Sequence, residues 1–205
     1  MTKLHFDFSK INAKARLKLV QGSVIPRPIA WVSTRNENGT INLAPFSYFN
    51  MLTDSMVSIS FQMKDQHHKD TYHNLLSQKQ GVIHIVDGSL LEKMDVTGMP
   101  LERNQSELQF VDLNLASSQI VETPTIKEAL ISLEVKFEQE ILLTSSISDD
   151  VDAHLVLLRV VGMSVDSSVF NAEKGYILAD VLNPVARLAG PNYGKIVPID
   201  YKRQY

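Results

Sequence analysis

Lys69-Asp70-Thr71 stands where a helix is predicted to begin, with His67 and His68 just ahead of it. A helix start disfavours cations by roughly 0.3 to 1 kcal/mol each, because its first N–H groups carry the positive end of the dipole. A bound anion would reverse that sign, since free N–H groups, a hydroxyl and an ammonium would converge on it, and a phosphate is the natural choice. Lys69 turned away into water is the competing reading, and Asp70 and Thr71 are candidate helix caps. Pro26-Arg27-Pro28 is a second oddity: two fixed proline φ angles hold one arginine in an extended segment. A stiffened Arg27 suits anion recognition, and a solvated arginine at the start of an edge strand is the alternative. Ser33-Thr34 and the run from Asn42 through Leu43, Ala44, Pro45 and Phe46 to Ser47 should lie side by side across a hairpin. Small residues, hydroxyls and an amide beside an aromatic would suit a flat heteroaromatic ring with carbonyl and N–H edges, as they would suit ordinary hairpin ends.

Other chemistries find less support. His67, His68 and His73 suggest a metal, but adjacent histidines point apart and no carboxylate completes a helical site, so no metal is expected. No Gly-x-Ser-x-Gly elbow activates a serine. No Gly-x-Gly-x-x-Gly or Gly-x-x-x-x-Gly-Lys loop supports nucleotide binding of those kinds. The chain has no cysteine, which removes disulfides, thiolate metal sites, Cys nucleophiles and iron–sulfur clusters, so redox chemistry would need a bound organic cofactor. Twenty Lys and Arg are interspersed among 23 Asp and Glu, for a net charge of −3, which argues against a nucleic-acid partner. The N-terminus lacks the unbroken apolar core of a signal peptide and no apolar run is long enough to span a bilayer, so a cytoplasmic location without a membrane partner is expected.

The elements that must position these residues can be read from periodicity. Ile11, Ala15 and Leu19 have helical spacing, stopped by Gly22. Residues 28–34 and 41–46 form two β-type runs joined through Asn38-Gly39, a hairpin signal. Val57, Ile59 and Phe61 alternate with serines as a half-buried strand. Residues 70–78 are helical with Leu75 and Leu76 inward, Gly81 ends that helix, and residues 82–86 resume as a strand. Residues 87–124 are loop-rich and partly helical, with little readable chemistry. Ile131, Leu133, Val135 and Phe137 alternate with Ser132, Glu134 and Lys136, and residues 155–161 are apolar almost throughout, bulged or bent at Gly162. Turn-linked strands with inserted helices predict a mainly β fold, an antiparallel barrel rather than a doubly wound sheet. At 205 residues and 44% hydrophobic composition, one domain spanning residues 1–205 is expected. Such a chain buries roughly 70% of its unfolded surface without needing a metal or disulfide.

Four blocks in order carry a resemblance. These are residues 25–34, IPRPIAWVST; residues 42–50, NLAPFSYFN; residues 69–74, KDTYHN; and residues 183–190, NPVARLAG, with Tyr193 beyond. Together they closely resemble the flavin reductase-like and flavoredoxin family over nearly the whole chain. The one departure is Ala189-Gly190 where the family often has Gly-Gly. The resemblance implies an FMN-binding split β-barrel of Greek-key antiparallel type, a homodimer with the flavin near the interface. It implies that Ser33, Thr34, Lys69 and Thr71, with Asp70 in the same block, meet the ribityl phosphate, and that Asn42, Leu43, Ala44 and Ser47 lie along the isoalloxazine ring. Arg27, Arg187 and Tyr193 follow less directly and could instead serve structure or the dimer. No residue resembles an obligatory acid, base or nucleophile, which fits a cofactor that accepts hydride itself. The implied activity passes electrons from NADH or NADPH through FMN to a flavin, protein or small acceptor. The alternatives are an FMN-binding electron carrier, or a barrel that has lost flavin and serves only in assembly.

Overall fold

The computed structural model describes residues 1–63, 68–146, 150–202 and 204. Helix α1 (Ala13–Ser23) leads into strands β1 (Arg27–Pro28), β2 (Ala30–Arg35), β3 (Ile41–Phe46), β4 (Phe49–Met51) and β5 (Met56–Gln62). Helix α2 (Asp70–Gln78), strand β6 (Gln80–Ile85) and helix α3 (Leu91–Val96) follow, then short β7 (Leu115–Ala116) and β8 (Thr125–Ile126). The long pair β9 (Ile131–Thr144) and β10 (Val151–Val165) precedes β11 (Phe170–Asn171), β12 (Tyr176–Ile177), α4 (Ala179–Leu182), β13 (Val185–Arg187) and β14 (Tyr193–Lys195). Seven strands form one curled antiparallel sheet in the order β3-β2-β6-β9-β10-β5-β4, and β1, β13 and β14 form a small sheet beside it. The fold is a split barrel.

The β2–β3 hairpin closes where Gly39 takes a φ of +86°, a conformation open to glycine. Ala30 to Arg35 pair with Phe46 to Ile41. Alternation along β2 then feeds two cores: Ala30 and Val32 join Ile59, Leu75, Ile83 and Leu158 inside the barrel, while Trp31 joins Leu43, Leu90 and Met94 on the other face. Both faces of β2 are therefore buried. The long strands β9 and β10 pair with each other, with a register shift between Val160 and Gly162, at the bend expected there. Their polar face is covered only in its first part, and Lys136 stays exposed. Ser132 and Glu134 are buried, and Glu134 accepts the N–H groups of Gln119, Ile120 and Val121 at 2.9, 2.6 and 2.9 Å, which ties the polar middle segment to the barrel.

Two glycines differ from expectation. Gly22 lies within α1, which runs on to Ser23 and buries none of its residues. Gly81 does not end α2: Lys79, in the left-handed region at φ 59°, does so, with its N–H bonded to the Leu75 carbonyl. Gly81 sits inside β6, where a Cβ would stand 3.1 Å from the Ser33 carbonyl oxygen and 3.2 Å from Leu75 Cδ2. It is glycine so that α2 can press against the sheet. No helix among the described residues is long and apolar enough to cross a membrane.

Candidate functional site

Where β3, the start of α2, α3 and the β13–β14 edge converge, two cavities meet in one cleft. The first lobe, about 460 Å³, is walled by Phe46, Tyr48, Phe61 and Met94, with Ser47, Asp95, Arg187 and Tyr193 supplying polar groups. The second, about 330 Å³, is lined by Asn42, Ala44, Asp70, Thr71 and Glu107. Pro45, Phe46, Lys69 and Gly98 belong to both, so Lys69 stands at the junction. Each lobe is within the size range of small-molecule sites.

A buried polar network sets the chemistry of the second lobe. Asn74 Nδ2 donates to Asn36 Oδ1 at 2.7 Å and to Thr34 Oγ1 at 3.0 Å. Asn42 Nδ2 donates to Thr34 Oγ1 at 3.2 Å and to Thr71 Oγ1 at 2.8 Å. Each amide nitrogen has only two protons, so both are spent. Thr71 Oγ1 consequently accepts from Asn42, so its own proton is not used in that bond, and Thr71 is among the residues that line the lobe. The helix beginning there has Lys69 as its N-cap, and no side chain caps it. Its first-turn N–H groups lack helical partners. Asp70 and Thr71 are thus the first residues of α2 rather than its caps. Behind them Tyr72 donates to Glu140 Oε1 at 2.6 Å, and His154 Nδ1 meets the same oxygen at 2.5 Å, which fastens the helix start to the barrel. Burial, then the hydrogen bond to Glu140, raises the Tyr72 hydroxyl pKa.

In the first lobe Tyr193 donates to Asp95 Oδ1 at 2.6 Å, and the Arg187 guanidinium lies 4.5 Å from the Tyr193 ring centroid. Burial, followed by the Asp95 bond, pushes the Tyr193 hydroxyl up to about 12. Arg187 thus packs against Tyr193 and lines the lobe. Arg27 is different. Its Nη1 donates to the carbonyls of Gln21 and Val24, both at 2.8 Å, and Nη2 to that of Leu188 at 2.9 Å. Its guanidinium stitches α1 to the segment after β13, and only the buried Nε has no hydrogen-bond partner among the described residues.

The sequence-expected residues thus divide. Ser47, Lys69, Arg187, Tyr193 and the rim residue Arg27 come together in the first lobe, and Asn42, Ala44, Asp70 and Thr71 with Lys69 in the second. Asn42 and Ala44, expected beside Ser47, line the other lobe with Thr71. Three of the expected residues line neither lobe. Ser33 and Thr34 are fully buried, Ser33 donating to the Pro124 carbonyl at 2.9 Å and Thr34 accepting both asparagine amides. Leu43 is fully buried in the Trp31 cluster. Burial on both faces of the hairpin removes all three side chains from the cleft; they support its wall. Sequence reasoning missed Asp95, Gly98 and Glu107, which come from the polar middle segment and carry no motif. Of the histidines, His67 lies outside the described residues, while the rings of His68 and His73 meet edge to face at 5.2 Å. No group of three His, Cys, Asp or Glu among the described residues could hold a metal.

Comparison with known proteins follows the same lines. Residues 22–181 match the family described as flavin reductase like domain. The chain is 38% identical to protein YwrF of Bacillus subtilis (strain 168), over 93% of this chain and 94% of that one. The crystal structure of nitrilotriacetate monooxygenase component B from Bacillus cereus superposes with a TM-score of 0.92 at 33% identity, covering 98% of this chain and 100% of that one. That of Pseudomonas fluorescens 2-nitrobenzoate 2-nitroreductase NbaA gives 0.82 at 28% identity, with the same coverage.

Proposed function

Since this chain belongs to the flavin reductase-like family, we propose that it binds FMN along the two-lobed cleft and is an oxidoreductase that moves electrons from NADH or NADPH through that flavin to an acceptor. The observation that carries the reading is the donor polarity of the second lobe: the Thr71 proton, the uncapped start of α2 and the Lys69 ammonium all offer positive charge or hydrogen to one ligand. A phosphate satisfies that set. In the first lobe Phe46, Tyr48 and Met94 suit a flat ring, with Ser47 and Arg187 at its polar edges. Bound FMN would supply hydride acceptance. The protein's own contribution is to hold the ring, neutralise the phosphate and exclude water behind the aromatic wall.

The test is an anaerobic titration of FMN-loaded protein with each nucleotide. Bleaching of the yellow colour by one of them is the expected result. Yellow protein that neither nucleotide bleaches would make it an electron carrier, and protein that stays colourless with added FMN would reduce it to an assembly role.

We further propose a homodimer. Helix α1 buries none of its residues and leaves Leu17 and Val20 exposed, with Val24 and Ile25 after it; Ile196, Val197 and Ile199 extend exposed from β14. Apolar surface so placed beside the cleft suits a second copy. Light scattering at micromolar protein should give twice the 23.0 kDa chain mass. A stable monomer that holds FMN tightly would defeat the proposal.

A further inference from the structure

Glu107 and Asp70 are the two groups of the second lobe whose charge opposes the reading above, and Glu107 is the more deeply buried. The residue is only 6% exposed. One oxygen accepts the Leu43 N–H at 2.8 Å, and the group lines the cavity with Asn42, Asp70 and Thr71. Burial raises its pKa first and the charge of Asp70 adds to this, while the Leu43 N–H pulls the other way. The charged or titratable groups facing it are His68, Lys69 and Asp70 at the start of α2; β3 offers none, and on its own loop Arg103 is paired with Glu37 at 3.0 Å. With both carboxylates ionised, the lobe sets two negative charges against the single ammonium of Lys69, and a phosphate would meet repulsion at contact range. A protonated carboxyl removes one charge and adds an O–H donor.

We infer that Glu107 is a phosphate-recognising residue that works as a neutral acid: FMN enters with uptake of a proton from solvent, and Glu107 donates its O–H to a phosphate oxygen while its other oxygen keeps the Leu43 N–H. This rests on the phosphate occupying the second lobe. Riboflavin, without the phosphate, binds with no such proton. Glutamine can imitate the acid, because its carbonyl oxygen accepts from Leu43 and its amide donates.

The experiment is calorimetric titration of FMN and of riboflavin at pH 7 in two buffers of different ionisation enthalpy, with the original protein and Glu107→Gln. Expected is uptake of most of one proton for FMN, none for riboflavin, and none for either ligand with Glu107→Gln. From pH 7 to 9 the FMN dissociation constant of the original protein should weaken, approaching about tenfold per pH unit, while that of Glu107→Gln stays level. Riboflavin binding by the variant reports whether its cleft is intact; if the variant fails to fold, proton uptake by the original protein for FMN alone decides. FMN preferred over riboflavin without proton uptake, or with uptake retained in Glu107→Gln, overturns the role of Glu107 and leaves the phosphate site standing. Equal affinity for the two flavins, or binding of neither, overturns the phosphate site and the role of Glu107 with it.

Discussion

Lowering the pH from 6.5 to 4 is expected to cost the folded protein about 3 kcal/mol through His84 alone, because burial pushes that imidazole down from 6.5 to about 4. His84 is fully buried. Ile126 N–H donates to its Nε2 at 2.9 Å, so Nε2 carries the lone pair and Nδ1–H donates to the Trp31 carbonyl at 2.9 Å. Protonating Nε2 would set N–H against N–H in a site without water access. The sign follows: a histidine whose folded pKa is depressed keeps its full contribution above the unfolded value and loses it as pH falls toward the folded one. Below pH 6.5 the unfolded chain binds the extra proton and the native state does not. His73, also lowered chiefly by burial, adds in the same direction. Urea unfolding at successive pH values between 7 and 4 measures the loss, and His84→Gln should flatten it most between 6.5 and 5, before carboxylates titrate. An unchanged slope in that variant would remove His84 from the account.

Replacing Lys69 with alanine should weaken FMN binding about tenfold to a hundredfold, since a charged hydrogen bond is worth roughly 1.5 to 3 kcal/mol. Lys69 is exposed and lines both lobes, and its ammonium makes no ion pair among the described residues. Riboflavin should feel the change much less. Fluorescence titration of both flavins into the original protein and Lys69→Ala separates the possibilities. Equal losses would assign Lys69 to the ring or the fold, and no loss for either would take it out of the site.

The hairpin and α2 were legible because their signals are local: Asn38-Gly39 marks a turn, and the bounds of α2 follow from the polar start and the Leu75-Leu76 pair. The family resemblance likewise rests on contiguous blocks. Ser33, Thr34 and Leu43 were expected at the ligand from the family resemblance; their side chains do not line the cleft, because α2 on one side with α3 and the 115–126 segment on the other cover both faces of the hairpin. Which of two alternating faces is covered depends on partners distant in sequence. Asp95 and Glu107 were illegible for the same reason: a lone carboxylate in a polar loop looks solvated until the loop is folded against β3.

That loop has a bearing on how the sheet breathes. Strand β3 is an edge, and two of its outward groups are met by side chains: Ser106 Oγ donates to the Ile41 carbonyl and Glu107 takes the Leu43 N–H. Two side chains can release together when the loop lifts, without any strand unpairing. Val32, laddered on both sides by β3 and β6, has no such exit. The Leu43 amide should therefore exchange with deuterium at the frequency of loop opening and the Val32 amide only on wider unfolding. Because Glu107 also lines the cleft, the exchange rate at Leu43 becomes a clock for the loop, running slower whenever a ligand holds it shut.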